Sequence, residues 1–359
     1  MAVPGADRLS SPGGDPSPPP GRPPARAGGS GLGDPVATAA SEPEMGPSDL
    51  EHLLSRRAAR PRSGWRRLLT RVREGLGEPE RGRAGVRHRR LLAMARTPVR
   101  GEAAVVAVAS GKGGVGKTTV AAGLASQLGL LRGDRVITLD ANPDAPTLGF
   151  RLGGAGRGGV ADLSRELEAG RIRHPADLQA FTGQAPGSRL QVLAGSLDPR
   201  TTEVPGEADY ARVLGALRRF YDVVVADLGT GLLDPANQLL LRACDQVVVV
   251  TQASLDGARI ADFTLSWLGR HRGARWLRER AVLVVNAVRP DAPLDIDRTA
   301  AHFRPRVRAV CRVRWDVGLA TGGTFAWAEL GRATREDYLE LAAVVAAGFA
   351  RSSTRGVES

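Results

Sequence analysis

The chain has 359 residues, 42% of them apolar and 25% charged, and its fifty basic against thirty-eight acidic side chains give a formal net charge of +12. That length accommodates one large α/β domain with tails or two small domains, and the composition favours the first. No apolar run approaches the roughly 18 residues of a membrane span, and Cys244 and Cys311 show no C-x-x-C spacing, which argues against a disulfide framework, zinc or an iron–sulfur cluster and for two core thiols of a reduced, cytoplasmic protein.

Residues 1–47 hold eleven prolines and nine glycines, too few apolar groups to offset the entropy of ordering, and read as a disordered region. Residues 48–100 form an Arg-rich segment. Fifteen arginines and three glutamates fall within residues 56–100, a local net charge of +12 that matches that of the whole chain. Residues 1–55 contribute −4 and residues 101–359 contribute +4, so the basic character belongs to this segment. Within it Trp65, Leu68, Leu69, Val72 and Leu76 share one helical face, with Arg66, Arg67, Arg71 and Arg73 around it. Such a helix suits DNA, an anionic membrane surface or an acidic protein, and suits equally a helix packed on its own domain with its arginines in water.

From residue 101 the pattern becomes that of a folded domain, running to about residue 350 and followed by a short tail, 351–359. The apolar run 104–109 predicts a buried parallel strand, and residues 118–131 predict a helix with Ala121, Leu124, Ala125, Leu128 and Leu131 at helical spacing. Between them lies Gly111-Lys112-Gly113-Gly114-Val115-Gly116-Lys117-Thr118-Thr119, which matches G-x-x-x-x-G-K-[ST]. In that motif the glycines let backbone N–H groups curl around phosphate oxygens at a helix N-terminus. Only two of the fifty basic residues are lysine, and both are in this loop. A lysine ammonium acts on phosphate as a compact point charge, whereas the broad guanidinium fork wants bidentate partners. Lys117 is thus expected on the β- and γ-phosphates of a nucleoside triphosphate and the Thr118 hydroxyl on Mg²⁺. The same residues satisfy G-x-G-x-x-G, with Asp140 as the ribose acid of a dinucleotide site, but that reading leaves both lysines and Thr118 unexplained.

Further strands are predicted at 136–140, 190–193, 223–227, 246–251, 282–286 and 308–313, with helices at 209–220, 235–243, 257–270 and 336–349. This alternation predicts an α/β fold, a mostly parallel sheet with helices on both faces. Ligands of such sheets sit at the carboxyl ends of the strands, where Asp140, Asp227 and Asn286 all fall. Asp227 ends an apolar strand and precedes Leu228-Gly229-Thr230-Gly231, the pattern of a Walker B acid that holds Mg²⁺ beside a loop able to approach a γ-phosphate.

The form Lys112-Gly113-Gly114-Val115-Gly116-Lys117-Thr118-Thr119 resembles the deviant Walker A motif of the MinD/ParA family. The resemblance continues through Leu139-Asp140-Ala141-Asn142-Pro143-Asp144, similar to that family's switch I, and Asp227 to Gly231, similar to switch II. It implies a P-loop ATPase in which Lys112 reaches the nucleotide of a second subunit, so that Mg–ATP joins two copies of the chain. Asp140 and Asp227 then join Thr118 at the metal, and Asn286 reads adenine with its amide donor and acceptor. The proline-rich head, Gly64-Trp65-Arg66-Arg67, Arg96-Thr97-Pro98 and Asp227 to Leu233 further resemble the MinD-like ATPases associated with actinobacterial type VII secretion.

One position departs from the family. Where many members carry an aspartate that orients the attacking water, this chain has Asn142, whose amide can hold a water but cannot take its proton. Asp144 substitutes for it if the loop turns that carboxylate inward. Three functions follow as expectations: an ATP-driven dimerisation switch with hydrolysis, catalysed by Lys112, Lys117, Asn142 and Asp227, that acts on a protein partner such as secretion machinery; a nucleotide-controlled scaffold with little turnover; and a partition ATPase that binds DNA through the Arg-rich segment. The expected location is cytoplasmic, or peripheral at the inner membrane face.

Overall fold

The computed structural model describes residues 82–142, 146–154, 156, 158–195, 204–289, 291–292, 294–324 and 326–350. The amphipathic face at 65–76, Pro143, Asp144 and both tails lie outside the described residues.

In chain order the elements are α1 (Arg83–Ala95), β1 (Ala104–Ala109), α2 (Lys117–Leu131), β2 (Val136–Ala141), α3 (Leu148–Leu152), α4 (Val160–Glu168), α5 (Pro175–Leu178), β3 (Gly183–Gln184) and β4 (Gln191–Leu193). There follow α6 (Glu207–Phe220), β5 (Val223–Leu228), α7 (Pro235–Ala243), β6 (Gln246–Gln252), α8 (Leu255–Arg272), α9 (Ala274–Arg280), β7 (Ala281–Val288), α10 (Ile296–Phe303), β8 (Ala309–Arg314), α11 (Val317–Ala320), a 3₁₀ turn (Trp327–Glu329) and α12 (Arg332–Ala347). The strands form one sheet in the order β3-β4-β2-β5-β1-β6-β7-β8. Every pair is parallel except β3 with β4.

The central strands are buried along their whole length because both faces of the sheet are covered. Val105, Ala107 and Ala109 point into a core with Tyr210, Leu217, Leu240 and Leu265 from α6, α7 and α8. Ala104, Val106 and Val108 face the other way, onto Leu124 and Leu128 of α2 and Tyr338 and Leu341 of α12. Helix α2 is apolar almost all round because it is wedged between sheet and α12. Small residues permit that wedge. A Cβ on Gly123 would lie 2.2 Å from Tyr338 Cε1, and the Tyr338 hydroxyl donates to the Thr119 carbonyl at 3.2 Å.

Several boundaries extend beyond the sequence expectation. Helix α8 begins at Leu255 and not at 257, because the Ser254 side chain caps it by accepting the Gly257 N–H at 3.1 Å. From the Arg-rich segment, Arg83–Ala95 forms α1, which buries Leu91 and Ala95 beside α12. Arg87 reaches Glu336 and Glu340 at 3.4 and 2.7 Å, and Arg132 donates to the carbonyls of Ala95 and Thr97 at 3.0 and 2.8 Å. The Arg87 pairs are solvent-exposed and add little to stability; the buried leucine and the Arg132 bonds do more to hold this helix.

A phosphate-binding loop beside two strand-end carboxylates

The turn from β1 into α2 places the sequence motif at the carboxyl edge of the sheet. Gly116 is the helix N-cap with φ 86°, and a Cβ there would approach Asn286 Nδ2 to 2.1 Å, so glycine is required both by conformation and by space. Gly111 is pressed against α8, where a Cβ would meet Thr264 Oγ1 at 2.6 Å. The loop is held from outside as well. Gln252 donates to the Gly114 carbonyl at 3.1 Å, Ser110 donates to the Lys112 carbonyl at 3.0 Å, and Asn286 Nδ2 donates to the Val115 carbonyl at 2.8 Å. The backbone is thereby fixed as a curved run of amides at a helix N-terminus, the arrangement that favours an anion.

Lys117 and Asp227 come together within this frame. The Lys117 ammonium is 2.7 Å from Asp227 Oδ1, and both side chains are almost wholly buried. Asp227 Oδ2 is buried without a hydrogen-bond partner. Burial raises the Asp227 pKa, while Lys117 and the Thr118 hydroxyl oppose that shift. Strand register sets Asp140 beside Asp227. Desolvation pushes the Asp140 carboxyl up to about 7, with the Asp227 charge adding to the rise. The Leu148 and Asn142 amides donate to it at 2.9 and 3.2 Å and pull the other way.

Two adjacent buried carboxylates that resist ionisation, one with an unmet oxygen, are the electrostatic complement of a hard divalent cation. Among the described residues no group of three His, Cys, Asp or Glu side chains is arranged for a metal. A cation here would therefore take oxygen donors from Asp227, Asp140 and the Thr118 hydroxyl, completed by phosphate and water, as Mg²⁺ does. The donor set fits.

The expected site residues thus divide. Gly111, Gly113, Gly114, Val115, Gly116, Lys117, Thr118 and Thr119 form one continuous loop and first helical turn, with Asp140 and Asp227 beside it. Asn142 sits at the end of β2 with its amide bound to Asp140. Lys112 is exposed at the loop surface. Asn286 lies behind the loop, 7% exposed, with its amide nitrogen on the Val115 carbonyl. The residue after it, Ala287, has φ 54°, the only positive-φ non-glycine residue among the described residues.

Asn237 was not expected. In the first turn of α7, its Oδ1 accepts the Gly229 N–H at 3.0 Å and its Nδ2 donates to the Gly231 carbonyl at 2.8 Å, so both ends of the amide hold the loop after Asp227. Nothing in its spacing marks it; the Asp234-Pro235 helix start two residues earlier only places it on an N-terminal turn.

Comparison with known proteins agrees with this geometry. Residues 106–323 match the model of the CobQ/CobB/MinD/ParA nucleotide binding domain. The chain is 34% identical over 298 residues to the ESX-1 secretion-associated protein EspI of Mycobacterium tuberculosis H37Rv, covering 81% of this chain and 43% of that protein. It therefore spans less than half the length of that relative. The cell division ATPase MinD of Pyrococcus furiosus superposes with a TM-score of 0.54 at 20% identity, covering 67% of this chain and 98% of that one. The septum site-determining MinD of Pyrococcus horikoshii, complexed with Mg-ADP, gives a TM-score of 0.54 at 18% identity, with 67% and 94% covered. At those identities the structures establish the shared fold.

Proposed function

The chain belongs to the CobQ/CobB/MinD/ParA family of nucleotide-binding proteins, and from that membership we propose that it is a Mg–ATP-dependent dimerisation switch that hydrolyses ATP and acts on a protein partner of a type VII secretion system. The observation that carries this reading is the buried Lys117–Asp227 pair at the N-terminus of α2, which joins a phosphate-binding ammonium to a metal-binding carboxylate. Similarity to the ESX-1 secretion-associated protein EspI supports the secretion context. Among the described residues no helix is long and apolar enough to cross a membrane, and the proposed location is the cytoplasm or the inner membrane face.

The loop amides and Lys117 bind and orient the phosphates; Thr118, Asp140 and Asp227 would hold Mg²⁺, which when bound supplies charge neutralisation at the transferring phosphoryl group. Lys112, exposed at the loop, is the residue assigned to the partner subunit's nucleotide, and Asn286 to adenine. Asn142 holds the attacking water by hydrogen bond without accepting its proton, so turnover is slow. A direct test is calorimetric titration of Mg–ATP into wild type and Lys117→Ala. Binding to wild type and none to the variant supports the reading; equal binding to both removes Lys117 from the site.

The Asn142 substitution favours a second reading, a nucleotide-controlled scaffold with little turnover. The rate of phosphate release at saturating ATP separates the two: measurable steady turnover by wild type eliminates the scaffold.

A further inference from the structure

We propose that Asn237 is a positioning residue that competes with a terminal phosphate for the Gly229 N–H and so couples the phosphate to helix α7. The inference rests on the nucleotide reading above and names a device which that reading lacks.

The loop that follows Asp227 lies against the phosphate-binding loop: a Cβ on Gly113 would come within 3.7 Å of Thr230 Cγ2. Gly229 is a backbone donor on that loop, two residues past Asp227, and in the proposed device the last phosphate of a bound nucleotide meets its N–H. In this structure its single proton goes to Asn237 Oδ1. A backbone N–H serves one strong acceptor at a time, and an anionic phosphate oxygen is a stronger acceptor than an amide oxygen. A triphosphate that takes this donor leaves Asn237 Oδ1 unmet in a place where the side chain is only 2% exposed, which is unfavourable unless the side chain or its turn moves.

Movement there has a defined route. The Asn237 amide nitrogen holds the Gly231 carbonyl, the Asn237 N–H is bound to the Asp234 side chain at 2.9 Å, and Gln238 Nε2 donates to the Leu233 carbonyl at 3.2 Å. The whole loop from 229 to 234 is wired to the first turn of α7. Between them Leu233 stands 73% exposed, so a shift of this turn re-aims an apolar side chain at the surface. A diphosphate, which has no oxygen at that position, leaves the Asn237–Gly229 bond intact. Asn237 thus makes α7 sensitive to the terminal phosphate alone.

The test is the affinity of wild type and Asn237→Ala for Mg–ADP and for a Mg-bound non-hydrolysable ATP analogue, both by calorimetry. Releasing Gly229 from its competitor raises the preference for the analogue over ADP about tenfold, with ADP affinity unchanged. A residue that merely supports the fold changes both affinities alike, and an unchanged or lowered preference overturns the proposal. Where Asn237→Ala does not fold, wild type labelled with ¹⁵N-glycine serves: the Gly229 amide resonance moves with the analogue and stays with ADP, and an amide that responds equally to both overturns the coupling. Wild type that binds neither nucleotide removes the nucleotide reading itself, an outcome distinct from binding both with an unaltered ratio.

Discussion

Lys117 Nζ and Asp227 Oδ1 lie 2.7 Å apart with both side chains buried, tying the first turn of α2 to the end of β5. The pair contributes to the site in two ways. It keeps an ammonium inside the phosphate loop, and it partly offsets the desolvation that drives Asp227 toward its neutral form. A phosphate that draws the lysine away would leave the carboxylate to a divalent cation, so nucleotide and metal are expected to bind together.

Removing one member of a buried ion pair strands the other. Lys117→Ala is expected to destabilise the protein by about 3 kcal/mol, read from the urea midpoint, and to abolish ATP binding. The double variant Lys117→Ala with Asp227→Asn should recover most of the lost stability but none of the binding. Recovery of binding would show that the loop amides suffice without the lysine.

In the proposed function Asn142 governs the rate of hydrolysis. Asn142→Asp places a carboxylate at the position proposed to hold the attacking water and is expected to raise kcat about tenfold or more without changing ATP affinity, as measured by steady-state phosphate release. An unchanged rate would place the water-orienting group elsewhere, Asp144 being the first candidate.

Packing of α2 against α12 holds the helix that begins at the phosphate loop. Gly123→Ala drives a methyl into the Tyr338 ring, 2.2 Å from Cε1, and should cost about 2 kcal/mol and lower Tm by a few degrees. Gly133→Ala, where a Cβ would meet no atom within 4 Å, is the control that should leave Tm unchanged.

The raised pKa of Asp140 fixes the direction of a pH effect. Its carboxyl titrates at about 7 in the folded protein against 3.8 ordinarily. Between those values the unfolded chain has released a proton that the folded chain retains. Stability contributed by this group is therefore complete below the lower value and is lost as pH rises to the upper one, by up to about 1.4 kcal/mol per pH unit. Without nucleotide and Mg²⁺, Tm should fall between about pH 5 and pH 7.5, with a smaller fall in Asp140→Asn and in wild type given Mg–ATP. A Tm slope identical in wild type and Asp140→Asn would contradict the assignment.

The strands that carry the site were legible because each is buried on both faces and so appears as a mostly apolar run with a polar residue at or next to its carboxyl end, Ser110 after β1, Asp140 in β2 and Asp227 in β5. The phosphate loop was legible because its glycines and lysines serve local backbone chemistry. Short elements such as α3, α5 and α11 were not, since one turn of helix carries too little periodicity to be recognised. Strand order was illegible as well: β5 inserts between β1 and β2, and this pairing, unseen along the chain, is what sets Asp140 beside Asp227. Asn237 escaped for a similar reason, its partners being backbone atoms six and eight residues away that any sequence could supply.

In the proposed switch, ATP joins two copies of this chain through Lys112. Sedimentation velocity of wild type and Lys112→Ala, each with Mg–ATP and with Mg–ADP, tests it most directly. A dimer is expected only for wild type with Mg–ATP, with both proteins monomeric in Mg–ADP; a Lys112→Ala variant that dimerises as well as wild type, or a wild type that stays monomeric in saturating Mg–ATP, would rule out this role for Lys112.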